Sequence, residues 1–186
     1  MWLMCNSKAV TKAAWGNDAE QWRVIGGQCA YWRKANQIHK WFVDNVQGGK
    51  DDCGNYDVDV EQLKELLDTV NEVLGSTKLV DGKVINGYTF NDGKEVANLQ
   101  SGMVLEDTSV ARSLLPTQDG FFFGSEEYDQ WYWEDLEYTR DQLTRILDSI
   151  EKVEYEPFDG CGFTLKAWMH KGERDWEVMF QYRSSW

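Results

Sequence analysis

Residues 59–75 read DVEQLKELLDTVNEVLG. Asp59 can accept the free backbone N–H groups of a helix start, and Gln62 sits three residues on, the capping-box position. Val58 and Leu63 flank the cap as a hydrophobic staple would. Val60, Leu63, Leu67, Val70 and Leu74 then fall on one stripe, which predicts an amphipathic helix with Gly75 just past its end. Upstream, Tyr31, Ala35, Ile38, Phe42 and Val46 also recur at helical spacing. They predict a helix from about Gln28 to Val46, stopped by Gly48-Gly49. A polar loop, QGGKDDCGNYD, separates the two helices.

Downstream the pattern changes. Asp81-Gly82, Asn86-Gly87 and Asp92-Gly93 are turn pairs separated by short β-rich pieces, so residues 76–107 read as a short β-hairpin or meander inserted in the main body. Residues 107–115 predict a short helix ended by Pro116. GFFFG (120–124) reads as a buried strand or an aromatic turn. Ser125 is then expected to cap a long helix with Glu126 and Glu127 in its first turn. Its apolar face would hold Tyr128, Trp131, Leu136, Leu143, Ile146 or Leu147, Ile150 and Val153, and it should end before Pro157. FTLKAWMH (163–170) and WEVMFQYRSSW (176–186) read as two strands joined by KGERD, the second with one wet face. The expected architecture is an α+β single domain over 1–186. Three main helices pack on a small, mostly antiparallel sheet, with the β-rich insertion at 76–107.

Composition narrows the function classes. The 186 residues carry 32 acids against 19 bases, a net charge of −13, which argues against a direct electrostatic grip on nucleic acid. No apolar run is long enough for a membrane span, and the opening MWLMCNSKAVTKAAWG shows no secretion leader. Cys5, Cys29, Cys53 and Cys161 are far apart and are expected to be free thiols in a reducing compartment. The charge is uneven: residues 1–40 have six bases and two acids, 51–72 eight acids and one base, and 119–157 twelve acids and three bases. Ten Trp are present, and rings suit both small cores and binding faces, so self-association is left open.

Two candidate surfaces follow. The first lies on the helix predicted over 28–46, where Trp32, Arg33, Lys34, Asn36, His39, Lys40 and Trp41 combine cations, an imidazole and rings that could hold an anionic nucleotide. The second is an acidic partner-binding face made of Asp51, Asp52, Glu126, Glu127, Asp129, Glu134 and Asp135. His39 with Asp51 or Asp52 could act as an acid/base pair, but no recognised catalytic spacing is present. A zinc set of Cys29, His39, Cys53 and Cys161 lacks supporting spacing, and no catalytic residue, metal or cofactor is assigned.

Three stretches form a recognisable signature: YWRKANQIHKWFVDNVQ (31–47), LLPTQDGFFFGSEEYDQWYWEDLEYT (114–139) and FQYRSSW (180–186). Together they resemble a widespread set of small proteins encoded by tailed phages and prophages, over most of the chain except its N-terminus and about 76–107. The resemblance implies a context, a viral accessory protein in a bacterial host cytoplasm. It implies no activity or catalytic residue. The function expected on both grounds is non-catalytic binding and inhibition of a bacterial anti-phage component, for example a CRISPR-Cas nuclease. One alternative is a sponge for a nucleotide signal. The other is an enzyme acting on a phosphoester or nucleotide.

Overall fold

The structure is a computed structural model that describes residues 1–11, 21–120, 125–151 and 177–184. The fold is α+β. Strands β1 (Trp2–Thr11), β2 (Gln21–Tyr31), β3 (Asn55–Val58) and β6 (Glu177–Arg183) form one antiparallel sheet in the order β2-β1-β6-β3. Strands β4 (Leu79–Asn91) and β5 (Lys94–Leu105) form a separate two-stranded sheet. The helices are α1 (Asn36–Asn45), α2 (Val60–Ser76), the short α3 (Ser109–Leu114) and α4 (Gln130–Glu151). Among the described residues, no helix is long and apolar enough to cross a membrane.

Register decides what the four-stranded sheet buries. Leu3 pairs with Ala30 on one side and Tyr182 on the other, and Val58 pairs with Phe180. Paired residues share a face, and all five are buried. Ile38 and Phe42 of α1 are buried in the same core. The Phe42 and Tyr182 rings stack at 3.9 Å with planes 8° apart. Such a pair contributes about 1 kcal/mol beyond its area burial. The opposite face is wet: Gln181 donates to Asp57 across β3 and β6 at 2.9 Å.

The cap of α2 is as the sequence implies. The Asp59 carboxylate accepts from the Gln62 N–H at 2.7 Å, and the Gln62 side chain accepts from the Asp59 N–H at 3.0 Å. The buried line is Leu63, Leu66, Val70 and Val73, with Val60, Leu67 and Leu74 half-buried, so the stripe is turned slightly from the expected one. Gly75 lies inside the last turn, because the helix runs on to Ser76.

Other boundaries move. Helix α1 starts eight residues later than the periodicity implies, because 28–31 are paired to β1 and Tyr31 ends a strand with its ring exposed. Helix α4 starts at Gln130, not after Ser125. The Asp129 carboxylate accepts from the Trp131 and Tyr132 N–H groups at 2.9 and 3.2 Å and caps it. The two residues before Gln130 are held by β5: the Tyr128 carbonyl accepts from Leu105 N–H at 3.0 Å, and Asp129 bridges to Val104. Trp131 faces solvent rather than the core. Of the two forms expected for residues 76–107, the structure has the hairpin, and it is a long one. Only Asp92-Gly93 makes its turn, both with positive φ. Asp81-Gly82 lies within β4, where Gly82 pairs with Gly102. A Cβ on either glycine would meet a valine methyl (Val104 or Val84) at 2.5 and 2.7 Å. The expected strand at 163–170, the KGERD link, Cys161 and the three phenylalanines of GFFFG lie outside the described residues.

Asp59→Ala removes one arm of the capping box and is expected to cost about 1 kcal/mol in urea unfolding. Asp59→Asn, which keeps the acceptor, should stay within about 0.5 kcal/mol of the parent.

Candidate functional site

Helix α1 is polar in composition yet mostly buried. Asn36, Gln37, His39 and Trp41 are at most 7% exposed. Buried polar groups need partners, and each of the first three finds one on a different segment. Asn36 Nδ2 donates to the Ser125 carbonyl and its Oδ1 accepts from the Gln118 N–H, both at 3.0 Å. Gln37 Nε2 donates to Asp135 Oδ2 at 3.3 Å. His39 Nδ1 lies 2.7 Å from the Tyr182 hydroxyl, and its Nε2 lies 3.1 Å from Asp51 Oδ2. Just ahead of the helix, Trp32 Nε1 donates to Thr139 Oγ1 at 2.8 Å, and that hydroxyl donates to the Asp135 carbonyl at 2.6 Å.

The protonation states follow from burial. Desolvation lowers the His39 pKa, with the Met1 ammonium pushing the same way and the hydrogen bond and charge of Asp51 opposing. Burial raises the Tyr182 phenol, helped by the charges of Asp51 and Cys53. A neutral imidazole therefore meets a protonated phenol. The Tyr182 O–H donates to Nδ1, and the ring N–H sits on Nε2, facing Asp51. The Asp51 carboxylate lies on that side of the ring, 3.1 Å from Nε2. The Asp135 carboxyl is pushed up to about 6, mainly by burial, with Gln37 opposing and Glu134 and Asp129 adding to the rise. Burial also raises Asp129, whose Oδ2 finds no partner among the described residues.

These positions redraw both expected surfaces. The basic and aromatic face is not a face. Arg33 and Lys34 are exposed in the turn before α1, where Lys34 has φ of 66°. Trp32, Asn36, His39 and Trp41 are buried, and Lys40 is half-buried and bound to Asp44 at 2.8 Å. The strand over 28–31 moved the start of the helix, and with it the direction of every flanking side chain. On the acidic side, Asp51, Asp52, Glu126, Glu127 and Glu134 belong to exposed residues, while Asp129 turns inward as a cap and Asp135 turns toward Gln37. Asp52 also accepts from the Tyr56 hydroxyl and the Gly54 N–H.

The chemistry of the polar cluster is that of a clip. His39 is wholly buried, and Asp51, with its side chain 26% exposed, is its outlet toward solvent. The ring ties the 47–54 loop to β6, and Gln47 reinforces the loop by donating to the Lys50 carbonyl. Tyr182, Thr139 and Gln118 were missing from the expected site. Each lies within or beside the three signature stretches, and the structure brings those stretches together around α1. The remaining acids form a feature the sequence showed only as a charge count. Glu61, Glu65, Asp68 and Glu72 of α2 recur at steps of four, three and four, and all are exposed. Among the described residues none of the four enters an ion pair. Also among the described residues, no group of three His, Cys, Asp or Glu could hold a metal ion.

Tyr182→Phe and His39→Phe each strand a buried polar atom, so each should cost about 1–3 kcal/mol in unfolding. The double variant should cost clearly less than their sum, which a double-mutant cycle reads directly. The unfolded imidazole gains its proton as pH falls through 6.5, while the folded one holds out to lower pH, so stability is lost on acidification across that window. His39→Phe should flatten this loss. Asp135 acts in the opposite sense: its ionised form weakens the fold above pH about 6, and stability returns as pH falls from there toward 3.8. Asp135→Asn should therefore stabilise by about 2 kcal/mol at pH 7.5, with the gain fading below pH 5. The chain matches no protein-family model, no curated protein and no solved structure, so this geometry carries its functional reading.

Proposed function

We propose that this protein works by binding and not by catalysis, presenting the acidic side of α2 to the basic, nucleic-acid-binding surface of a partner protein. The observation that carries this reading is the exposed stripe Glu61, Glu65, Asp68 and Glu72, free of ion pairs among the described residues. Eleven residues of α-helix rise about 16 Å, so the carboxylates sit about 5 Å apart along the axis. That spacing is of the same order as the 3.4 Å axial step of phosphates on one DNA strand. Asp52, Asp57 and Asp59, just before the helix start, are exposed as well. A channel lined with Arg and Lys would meet this row as it meets a backbone, drawn in by long-range attraction.

The resemblance of the three signature stretches to phage proteins suggests the partner. It is a bacterial defence nuclease, such as a CRISPR effector, inhibited in the host cytoplasm. The nucleotide-sponge reading is less well supported, since four of its seven residues are buried. An enzyme reading is also weaker, because the His39 ring is closed off from any substrate.

The test measures binding to candidate effector nucleases and their cleavage activity. Inhibition should appear at equimolar protein and weaken steeply as salt rises and the Debye length shrinks from about 10 Å toward 3 Å. Neutralising the stripe (E61Q, E65Q, D68N and E72Q together) should weaken binding at least tenfold with the fold intact. Full nuclease activity at excess protein across the effectors tried, or inhibition indifferent to the stripe, would overturn the proposal.

A further inference from the structure

The β4–β5 hairpin carries a second surface, independent of the acidic stripe. An isolated two-stranded ribbon is marginal in water, and here the half of the ladder nearest the turn exposes large apolar side chains. Phe90 is 75% exposed, Leu99 64% and Tyr88 56%. These three share one face. Tyr88 pairs with Ala97, Ile85 with Leu99 and Phe90 with Glu95, and paired or alternate residues point the same way. The bulge between Ile85 and Tyr88 keeps both on that face despite the extra residue. Lys83 and Ser101, the next rung inward, are on it too, joined by a hydrogen bond of 3.2 Å. Face by face, the order from turn to body is Phe90/Glu95, Tyr88/Ala97, Ile85/Leu99, Lys83/Ser101.

That order is self-complementary. A two-fold axis through the middle of the patch, between the Ala97 and Leu99 rungs, sets Tyr88/Ala97 of one chain over Ile85/Leu99 of the other. The same axis sets Lys83 of each chain over Phe90 of the other and Ser101 over Glu95, so each Glu95 lies diagonal to the other chain's Lys83, one strand spacing of about 5 Å to the side, twice over. Isologous interfaces have this property: each residue meets its counterpart's partner. Charge also favours a second copy here over any other face. Residues 79–105 hold three acids and two bases, whereas the whole chain is at −13. A ladder of twelve residues spans about 40 Å, several Debye lengths at physiological salt. Chains joined through the hairpin ends therefore keep their acidic bodies apart.

We infer that the protein self-associates into a two-fold dimer through this hairpin face, with Ile85, Tyr88, Phe90 and Leu99 at its centre and Lys83–Glu95 pairs at its ends. The face is small. Interfaces below about 1,200 Å² are weak and reversible, so the dimer forms with a micromolar dissociation constant.

Sedimentation equilibrium over a range of concentrations tests it. The wild type should shift from monomer to dimer across the micromolar range. Phe90→Ser should remove the dimer. Lys83→Glu and Glu95→Lys should each weaken it about tenfold, and the double exchange K83E/E95K should restore it. Within one chain these two residues lie six rungs apart, about 20 Å, so restoration reports a contact between copies. A wild type that stays monomeric at several hundred micromolar would overturn the inference. So would a dimer that survives Phe90→Ser, or single charge variants that the double exchange does not rescue.

Discussion

Burying a polar helix is costly unless every donor and acceptor on it is matched, and this molecule is organised around meeting that demand for α1. Asn36, Gln37 and His39 sit within the first four positions of one helix and are all nearly water-free. Their partners come from the 114–139 region and from β6, and Trp32 adds a further tie to Thr139. An apolar helix would slide among near-equivalent packings. One that must place these groups against particular carbonyls, carboxylates and a phenol has a single docking geometry.

The aromatic content makes sense in the same light. Phe42 stacks on Tyr182, Trp32 tilts against Phe42, and Trp41 meets Phe42 edge-on. Two of these rings, Trp32 and Tyr182, carry a polar end that takes part in the network, so they fill the core and also orient it. The two surfaces proposed for binding lie outside this core: the acidic side of α2 and the apolar face of the hairpin. Neither takes part in holding α1. Both surfaces can therefore vary without disturbing the centre.

The sequence was most legible where local physics acts alone. The Asp59–Gln62 box, the apolar stripe of α2, the short helix before Pro116 and the Asp92-Gly93 turn all depend on contacts within a few residues, and all appear in the structure. Legibility failed where a non-local partner competed. Tyr31 fits a helical period with Ala35 and Ile38, yet pairing with Trp2 of β1 holds it extended. Ser125 is a good cap in isolation, but Tyr128 and Asp129 are engaged with Leu105 and Val104, and the capping passes to Asp129. The candidate basic face dissolved for the same reason, because its geometry rested on a helix that begins later than its period implies.

By itself, then, the sequence determined the α+β class, the helix over 60–76, the charge of its outer side and the hairpin's turn, since propensity, capping and periodicity are properties of neighbours along the chain. Tertiary structure alone decided that β6 lies between β1 and β3, that His39 faces Tyr182 and Asp51, and that Asp129 and Asp135 turn inward while the α2 acids stay in water. Those outcomes turn on which distant groups compete successfully for each buried hydrogen bond, and spacing along the chain carries no record of that competition.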